Sequence, residues 1–303
     1  MKYILSTNFW IATQHGNHSS YVNAPRNHRP VASHQMNGTL KKIVRVTGLR
    51  RRHVAAARMC CERHWLATTA NAQVNARAIG RILCYHSLGQ SVSGVNDVKP
   101  KQFRRQIELA LRSGFRFVCP AEIAQTGGAP RDLAITFDDA WTSVLSEASP
   151  ILREYNIPWL LFVVTSWCDH KSSWAKEHIL PWRDIDRLMA DGAQIGSHSA
   201  THPDFGLIEK AQMIDELGNS RETIRQRLGF APNTFAIPYG QSMNWPEVAD
   251  RTARDTGYET VYAQAEETRP SNTVPRTFVT RFDGDRIFRA LLRGAYDRWE
   301  EWV

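Results

Sequence analysis

From Arg81 to the end of the chain, short apolar runs alternate with longer stretches in which apolar residues recur at helical spacing. This alternation predicts a mainly parallel sheet covered by helices, and seven or eight strand–helix units favour closure into an α/β barrel. The expected strands are 81–86, 115–119, 133–137, 159–165, 193–196, 234–238, 260–262 and 277–281. The expected helices are 101–113, 142–155, 182–190, 208–228, 246–256 and 285–299.

Polar side chains follow four of the predicted strands, always at the same end. They are Asp138 and Asp139 after strand 133–137, His198 and His202 after strand 193–196, His86 at the end of strand 81–86, and Tyr239 after strand 234–238. In a barrel of parallel strands, catalytic groups sit at the carboxyl ends of the strands. The pattern therefore predicts an active site at this end of the barrel.

The residue types indicate a divalent metal. The i, i+4 spacing of His198 and His202 is expected to place both imidazoles on one side of a helical turn, where they can bind one cation. A carboxylate as third ligand leaves open positions, as in catalytic rather than structural metal sites. One of Asp138 and Asp139 would bind the metal and the other would act as general base, which requires the chain to turn there because successive strand side chains point in opposite directions.

Each signal has an ordinary structural explanation as well. An Asp-Asp pair often caps a helix, an HxxxH spacing arises by chance on many helices, and a single histidine such as His86 is often a structural residue. Their joint position after four strands favours the metal site over these explanations.

The same residues resemble the motifs of the polysaccharide deacetylases, also called the NodB-homology or carbohydrate esterase family four proteins. TFDD at 136–139, SHSATHP at 197–203 and FAIPYG at 235–240 are similar to the first, second and third motifs of that family. The resemblance implies a distorted (β/α)7-8 barrel in residues 81–303, with Asp138 as general base and Asp139, His198 and His202 as metal ligands. It also implies that the backbone N–H of Tyr239 contributes to an oxyanion hole.

Two departures from the family pattern change the expected roles. The third motif often carries an arginine that pairs with the base, and here that position is Ala236. A subgroup resembling the poly-N-acetylglucosamine deacetylases has Ala there and a permuted motif order, in which a histidine after the first strand is the catalytic acid. That role falls on His86, because Cys84-Tyr85-His86 matches the subgroup and no late Leu-x-His follows. Arg276 and Arg281 are both candidates to replace the missing arginine.

Aromatic residues near these strand ends could stack on a sugar ring. Trp141 follows the Asp pair directly and, with Pro238, is predicted to bind substrate. Trp182 begins a predicted helix and is expected to be a packing residue.

The expected function is removal of N-acetyl groups from a sugar or polysaccharide by a divalent metal, with zinc favoured and cobalt, nickel or iron as alternatives. A sugar- or lipid-binding protein with weak or no catalysis, prompted by Ala236 and the basic leader, is one competing hypothesis. A hydrolase of another amide or ester is a second. The expected partner is an N-acetylated glycan or a lipid-linked sugar.

Charge separates the first 80 residues from the rest. Residues 1–80 hold 12 of the 38 basic residues and one of the 30 acidic ones, so their net charge is +11, whereas residues 81–303 carry −3. We expect 1–80 to be a partly disordered extension with a basic amphipathic helix at about 40–78, which could contact an anionic membrane surface. A solvated extension is the simpler alternative, and no nucleic-acid partner is expected.

Five cysteines without a CxxC pair fit reduced thiols in the cytoplasm better than a disulfide framework. Polar residues interrupt the apolar runs at 3–5 and 9–12, so the start of the chain lacks the apolar core of a secretory signal. We therefore expect a cytoplasmic protein that is peripheral at the inner membrane, with secretion or export to the periplasm as the alternative.

Overall fold

The structure is a computed structural model, and it describes residues 51–69, 79–264 and 273–297. The chain divides into two compact units, Met1–Met59 with Trp302–Val303, and Cys60–Glu301. Of the first unit, only residues 51–59 are described. No helix in the described ranges combines the length and apolar character needed to cross a membrane.

Seven parallel strands form a closed barrel in the second unit. Their ring order is β1, β5, β6, β7, β8, β9 and β10, and β10 pairs again with β1; a side strand, β4, pairs with the start of β5. The strands are β1 (Arg81–Tyr85), β2 (Ser87–Leu88), β3 (Asp97–Val98), β4 (Arg116–Phe117), β5 (Asp132–Phe137), β6 (Trp159–Val163), β7 (Gln194–Ser197), β8 (Thr234–Ala236), β9 (Thr260–Gln264) and β10 (Thr273–Phe278), with β2 and β3 forming a separate pair. The predicted barrel is confirmed, with seven strands in its wall.

Helices surround the barrel because each crossover between parallel strands returns along its outside. These helices are α2 (Pro100–Arg112), α3 (Pro120–Thr126), α4 (Ser149–Glu154), α5 (Thr165–Cys168), α6 (Ser173–His178), α7 (Trp182–Ala190), α8 (Lys210–Leu228), α9 (Glu247–Thr256) and α10 (Asp285–Leu292). Another helix, α1 (Arg51–Thr69), precedes the first strand in the chain. A π-helix at Val144–Ala148 precedes α4, and 3-10 helices lie at Ser91–Asn96 and Ser242–Asn244.

Side chains alternate between two cores along the strands. The inner core fills the barrel with Ile82, Ala134, Leu160, Phe162, Ala236 and Tyr262. Residues of the opposite parity, such as Leu83, Ile135 and Leu161, pack outward against the helices. Because both faces of the strands are buried, the strands appear in the sequence as continuous apolar runs.

The last strand differs from the prediction. It was expected at 277–281, whereas β10 runs from Thr273 to Phe278. Its first three residues are only partly buried, and Thr273, Pro275 and Arg276 interrupt the apolar pattern. The apolar run therefore identified only the last residues of β10, and the predicted strand did not include Arg276.

The second half of α1 belongs to the barrel unit. Arg63 is fully buried, forms a bidentate ion pair with Asp283 and donates from Nη2 to the Phe278 carbonyl at 3.1 Å. Tyr296 donates its hydroxyl to the Arg63 carbonyl at 2.6 Å. The compact unit thus begins at Cys60, ahead of the domain boundary expected at residue 81. The parts of the predicted helix at 40–50 and 70–78 lie outside the described residues.

Candidate active site

The chain turns sharply after β5, which lets two neighbouring carboxylates face one site. Asp139 and Ala140 have φ values of 73° and 61°, in the left-handed region that residues with a side chain rarely adopt. Asp138 is anchored by its N–H, which donates to the Tyr85 carbonyl at 3.0 Å. The turn that the sequence required at the Asp pair is present.

The two histidines lie on a loop rather than on a helical turn, so that part of the expectation is wrong. β7 ends at Ser197, and both Ser199 (φ 69°) and His202 (φ 65°) are left-handed, which excludes a helix. The loop nevertheless brings the imidazoles together, with ring centroids 4.8 Å apart. The spacing of four residues correctly predicted that the two imidazoles are close, but a loop and not a helical turn brings them together.

Glu216 on α8 holds this loop in place. Its carboxylate accepts from the N–H groups of Ala200 and Thr201 at 3.0 and 2.8 Å and from the Thr201 hydroxyl at 2.6 Å. Ser199 Oγ in turn accepts from the His202 N–H at 2.8 Å. These bonds offset the cost of the left-handed residues, because such conformations persist only when the surroundings fix them.

Asp139, His198 and His202 form a three-ligand group. The Nε2 atoms of both histidines lie 3.7 Å from Asp139 Oδ1. That oxygen is buried and has no hydrogen-bond partner among the described residues. Unpartnered buried carboxylate oxygens are costly, so the group is suited to a bound cation.

The second nitrogen of His198 fixes its protonation. His198 Nδ1 lies 2.8 Å from the carbonyl of Ala236, and a carbonyl can only accept, so Nδ1 carries the proton. Nε2 therefore presents its lone pair to Asp139 and the space beside it. The residue at the arginine position of the third motif thus contributes its backbone to the site.

Both imidazoles are neutral in the folded protein. Burial lowers the pKa of His198 to about 4, against the opposing charges of Asp138 and Asp139. Burial and the nearby His86 lower the pKa of His202 to about 4 as well. Neutral imidazole is the form that binds a metal, so these ligands need lose no proton near neutral pH.

Arg276 of β10 supplies the cation that the third motif lacks. Its Nη1 and Nη2 donate to Asp138 Oδ1 and Oδ2 at 2.7 and 2.8 Å, and both side chains are buried. The guanidinium lies inside the barrel, 5.2 Å from the ring centre of Phe162. Arg281 is exposed, so the choice that the sequence left open falls on Arg276.

This pair sets the charge of Asp138. Burial alone would raise the pKa of the carboxyl, but the neighbouring Arg276 guanidinium outweighs it and holds the pKa well below its ordinary value. Cys84 adds a thiol donor, with Sγ 3.4 Å from Asp138 Oδ2. Burial raises the pKa of the Cys84 thiol, so it remains protonated beside the carboxylate.

His86 lies beside Asp138 because β1 and β5 end at the same level. Tyr85 pairs with Phe137 in register, so the next residue of each strand, His86 and Asp138, emerges side by side. His86 packs against Phe278 at 5.2 Å between ring centroids, and its buried Nδ1 has no partner within the described part of the chain. The histidine is thus available for proton transfer at the site.

Tyr239 borders the histidine side of the site. Its backbone is left-handed (φ 63°), its ring packs edge-on to His202 at 4.8 Å, and 42% of the residue is exposed. The preceding Pro238 is buried. The loop after β8 therefore presents Tyr239 to the site, as the strand-end pattern predicted, while Pro238 shows little surface.

Trp141 lies at the site but faces the protein. Its indole N–H donates to Asp139 Oδ2 at 3.1 Å, its ring packs edge-on to Trp174, and only 6% of the residue is exposed. The expected nearness to the Asp pair is found. A ring this buried offers little face to a sugar, so its contacts favour a role in holding Asp139.

Three residues of the site received no definite role from the sequence. Arg276 was one of two arginines considered, and its place inside the barrel depends on a strand that the apolar pattern only half revealed. Glu216 looks like any solvent-facing residue of a long helix, and Trp167 carries no motif although it stacks on His202 at 5.3 Å. The correct start of β10 would have identified Arg276, and the position of Trp167 just after the predicted strand 159–165 was a signal for that residue.

The fold and the site together define a parallel (β/α)7 barrel with an Asp-His-His group at its mouth that could hold a metal ion. Residues 126–261, which contain all three motifs, match the family model described as polysaccharide deacetylase. Over these residues the chain is similar to that family.

Solved structures agree with the barrel. The structure of IcaB from Ammonifex degensii matches with a TM-score of 0.60 at 21% identity, covering 72% of this chain and 97% of that one. The Streptococcus pyogenes deacetylase PplD, in complex with acetate, matches with a TM-score of 0.60 at 19% identity over 71% of this chain and 97% of that one. At these identities the likeness shows the fold.

Curated relatives match over shorter parts. The chitin deacetylase of Colletotrichum lindemuthianum is 30% identical over 111 residues, which are 36% of this chain and 42% of that protein. The chain matches between 31% and 62% of the length of the first curated relatives.

Proposed function

We propose that this protein is a metal-dependent hydrolase that removes N-acetyl groups from an N-acetylated sugar or polysaccharide. The observation that carries the proposal is one juxtaposition at the barrel mouth. A buried Asp139-His198-His202 group lies next to Asp138, whose charge is fixed by Arg276. A metal-binding group beside a carboxylate base is the combination that amide hydrolysis by an activated water requires.

The chain's own residues divide the chemistry between them. Asp139, His198 and His202 would hold a divalent metal, which would supply polarisation of the acyl carbonyl and a lower pKa for bound water. Asp138, ionised near neutral pH, takes the proton of the attacking water, and the Tyr239 N–H donates to the developing oxyanion. His86 donates a proton to the sugar nitrogen as the carbon–nitrogen bond breaks, because an amine leaves poorly unless it is protonated.

Zinc is the metal that we propose. Two neutral imidazoles and one carboxylate match the ligand types of catalytic zinc sites. Cobalt, nickel and iron bind similar ligands, so the test is the metal content of the purified protein together with reconstitution by each ion.

The competing classes differ in what the site must retain. A sugar- or lipid-binding protein with weak or no catalysis was suggested by the missing motif arginine and by the basic leader. Arg276 counts against the first reason because it pairs with Asp138 from another strand. A hydrolase of other amides or esters would keep the same residues. Only activity measured on different substrates can therefore distinguish such a hydrolase from a sugar N-deacetylase.

A substrate panel tests the proposal. Metal-loaded protein would be given N-acetylglucosamine oligomers, O-acetylated xylan oligomers and acetylated lysine peptides, and released acetate would be measured. We expect release from the N-acetylated sugars at a rate at least tenfold above the other two. Release from the peptides alone, or from the O-acetylated sugars alone, would contradict the proposal.

We further propose a cytoplasmic location at the inner membrane face, with a lipid-linked sugar as substrate. Five free cysteines fit a reducing compartment. On α1, Trp65 and Val54 are 64% and 56% exposed, and aromatic and aliphatic side chains of this kind insert into membrane interfaces. Sedimentation with anionic vesicles, compared between wild type and Trp65→Ser, checks the membrane contact, and equal sedimentation of both would contradict it.

A further inference from the structure

Three tryptophans connect two of the ligands that come from different loops. Trp141 donates its indole N–H to Asp139 Oδ2 at 3.1 Å. Trp167 stacks on the His202 ring, with centroids 5.3 Å apart and planes 26° apart. Trp174 packs edge-on to both, at 5.7 Å from Trp141 and 5.3 Å from Trp167. A continuous chain of ring contacts thus runs from the loop after β5 to the loop after β7.

The Trp141 hydrogen bond selects one oxygen of Asp139. An indole N–H can only donate, and it occupies Oδ2. The other oxygen, Oδ1, is the one that faces His198 and His202 and lacks a partner among the described residues. The bond therefore fixes the carboxylate rotation that aims Oδ1 at the histidines.

The Trp141 bond restricts the carboxylate of Asp139, a residue that projects from an unusual turn. The residue is left-handed, with φ 73°, and so is the next one. The terminal torsion of an aspartate is broad when no bond restricts it, and disorder in a ligand before binding reduces metal affinity. Partners that hydrogen-bond metal ligands typically change affinity by about 10- to 100-fold when they are removed.

We propose that Trp141 is a positioning residue for metal binding, and that Trp174 and Trp167 extend its effect to His202. This inference rests on the metal site of the proposed function and adds a determinant of its affinity. It also gives Trp141 a duty other than sugar stacking, in agreement with its 6% exposure.

The chain offers a matched control. Trp182 also donates its indole N–H to an aspartate, Asp169 Oδ1, at 2.9 Å. Asp169 is not one of the three proposed ligands. Trp141→Phe and Trp182→Phe therefore remove the same kind of bond, and only the first removes it from a ligand.

The test is a zinc titration of metal-free protein against a chromophoric chelator. We expect Trp141→Phe to weaken zinc binding by about 10- to 100-fold and Trp182→Phe to leave it within about twofold. Trp167→Leu should weaken binding by a smaller factor, because it removes ring packing from His202 but no hydrogen bond. Equal affinity of Trp141→Phe and wild type would overturn the inference, as would equal losses in Trp141→Phe and Trp182→Phe.

A measurement on wild type covers the case in which Trp141→Phe does not fold. With ¹⁵N-labelled tryptophan, the Trp141 indole N–H should exchange slowly with solvent and its resonance should shift on zinc addition, whereas that of Trp182 should not shift. A fast-exchanging or unshifted Trp141 indole would overturn the inference. If wild type bound no zinc, the proposed metal site itself would be contradicted. Acetate release is measured separately and tests only the proposed function.

Discussion

Arg276 and Asp138 form a buried bidentate ion pair across the inside of the barrel, with N–O distances of 2.7 and 2.8 Å. Arg276 lies on β10 and Asp138 directly follows β5, the two strands that flank β1 in the ring, and the two residues are 138 positions apart in the chain. The arginine occupies the role that the third motif leaves open at Ala236. The negative charge of Asp138, the proposed base, is therefore stabilised by Arg276, which lies outside the three motifs.

Arg276→Met should impair both stability and activity. It leaves a buried carboxylate without its cation, and breaking such a pair costs about 3–5 kcal/mol. Burial, which favours the neutral form, should then raise the pKa of Asp138. Chemical denaturation gives the stability, and acetate release as a function of pH should show an acidic limb displaced upward.

Arg281→Met is the control, because Arg281 is exposed and was the other candidate from sequence. Its stability and pH profile should match wild type. In wild type the pKa of Asp138 is lower in the folded protein than in the unfolded chain. Ionised Asp138 therefore stabilises the fold at neutral pH, and this stabilisation is lost only as the pH falls through the pKa of the folded state. A wild-type pH profile of acetate release in Arg276→Met would show that Arg276 does not lower the pKa of Asp138.

Stability of the metal-free protein should rise with pH between about 4 and 6.5. His198 and His202 have folded pKa values of about 4, against an ordinary value of about 6.5, so the unfolded chain binds protons first as pH falls. Each histidine contributes up to about 1.4 kcal/mol per pH unit in this window. Urea titrations at several pH values measure the slope, and His198→Gln should reduce it; a slope unchanged by this substitution would be contrary evidence.

His86→Gln should lower turnover far more than metal content. The residue lies beside Asp138 but outside the three-ligand group, and its proposed duty is to protonate the leaving nitrogen. A fall in kcat of about 100-fold or more, within the 10²–10⁴ range of general acid catalysis, is expected with zinc content near wild type. Loss of zinc in proportion to activity would instead make His86 a ligand.

Arg63→Met should destabilise the barrel by about 3–5 kcal/mol, because it leaves the buried Asp283 carboxylate without its cation. Arg105→Met is the matched control, since Arg105 and Asp285 form an exposed pair, 66% and 39% accessible. Its loss should cost less than about 1 kcal/mol. Denaturant midpoints measure both, and equal small effects would mean that α1 is dispensable to the barrel.

The sequence predicted the barrel and the position of the site because two physical regularities hold here. Strands buried on both faces appear as apolar runs, and parallel strands end at one mouth, so Asp138, Asp139, His86 and His198 had to meet. Helix α7 was predicted with its observed bounds, Trp182–Ala190. These features depend on local pattern alone.

What could not be predicted depends on long-range contacts. Arg63 lies in a basic segment that resembles a solvated leader, and its burial depends on distant partners such as Asp283, 220 residues away. The loop carrying His202 is shaped by Glu216, and the rotation of Asp139 by Trp141, neither of which has a pattern of its own. A periodicity of apolar residues contains no information about such pairs.

The most direct test of the central claim compares wild type with Asp138→Asn, measuring zinc content and acetate release from N-acetylglucosamine oligomers in the same preparations. Asparagine keeps the size of the side chain but cannot accept the water's proton as a base. The proposed mechanism predicts that both proteins bind stoichiometric zinc and that only wild type releases acetate. Zinc-loaded wild type that releases no acetate, or Asp138→Asn that releases it at the wild-type rate, would contradict it.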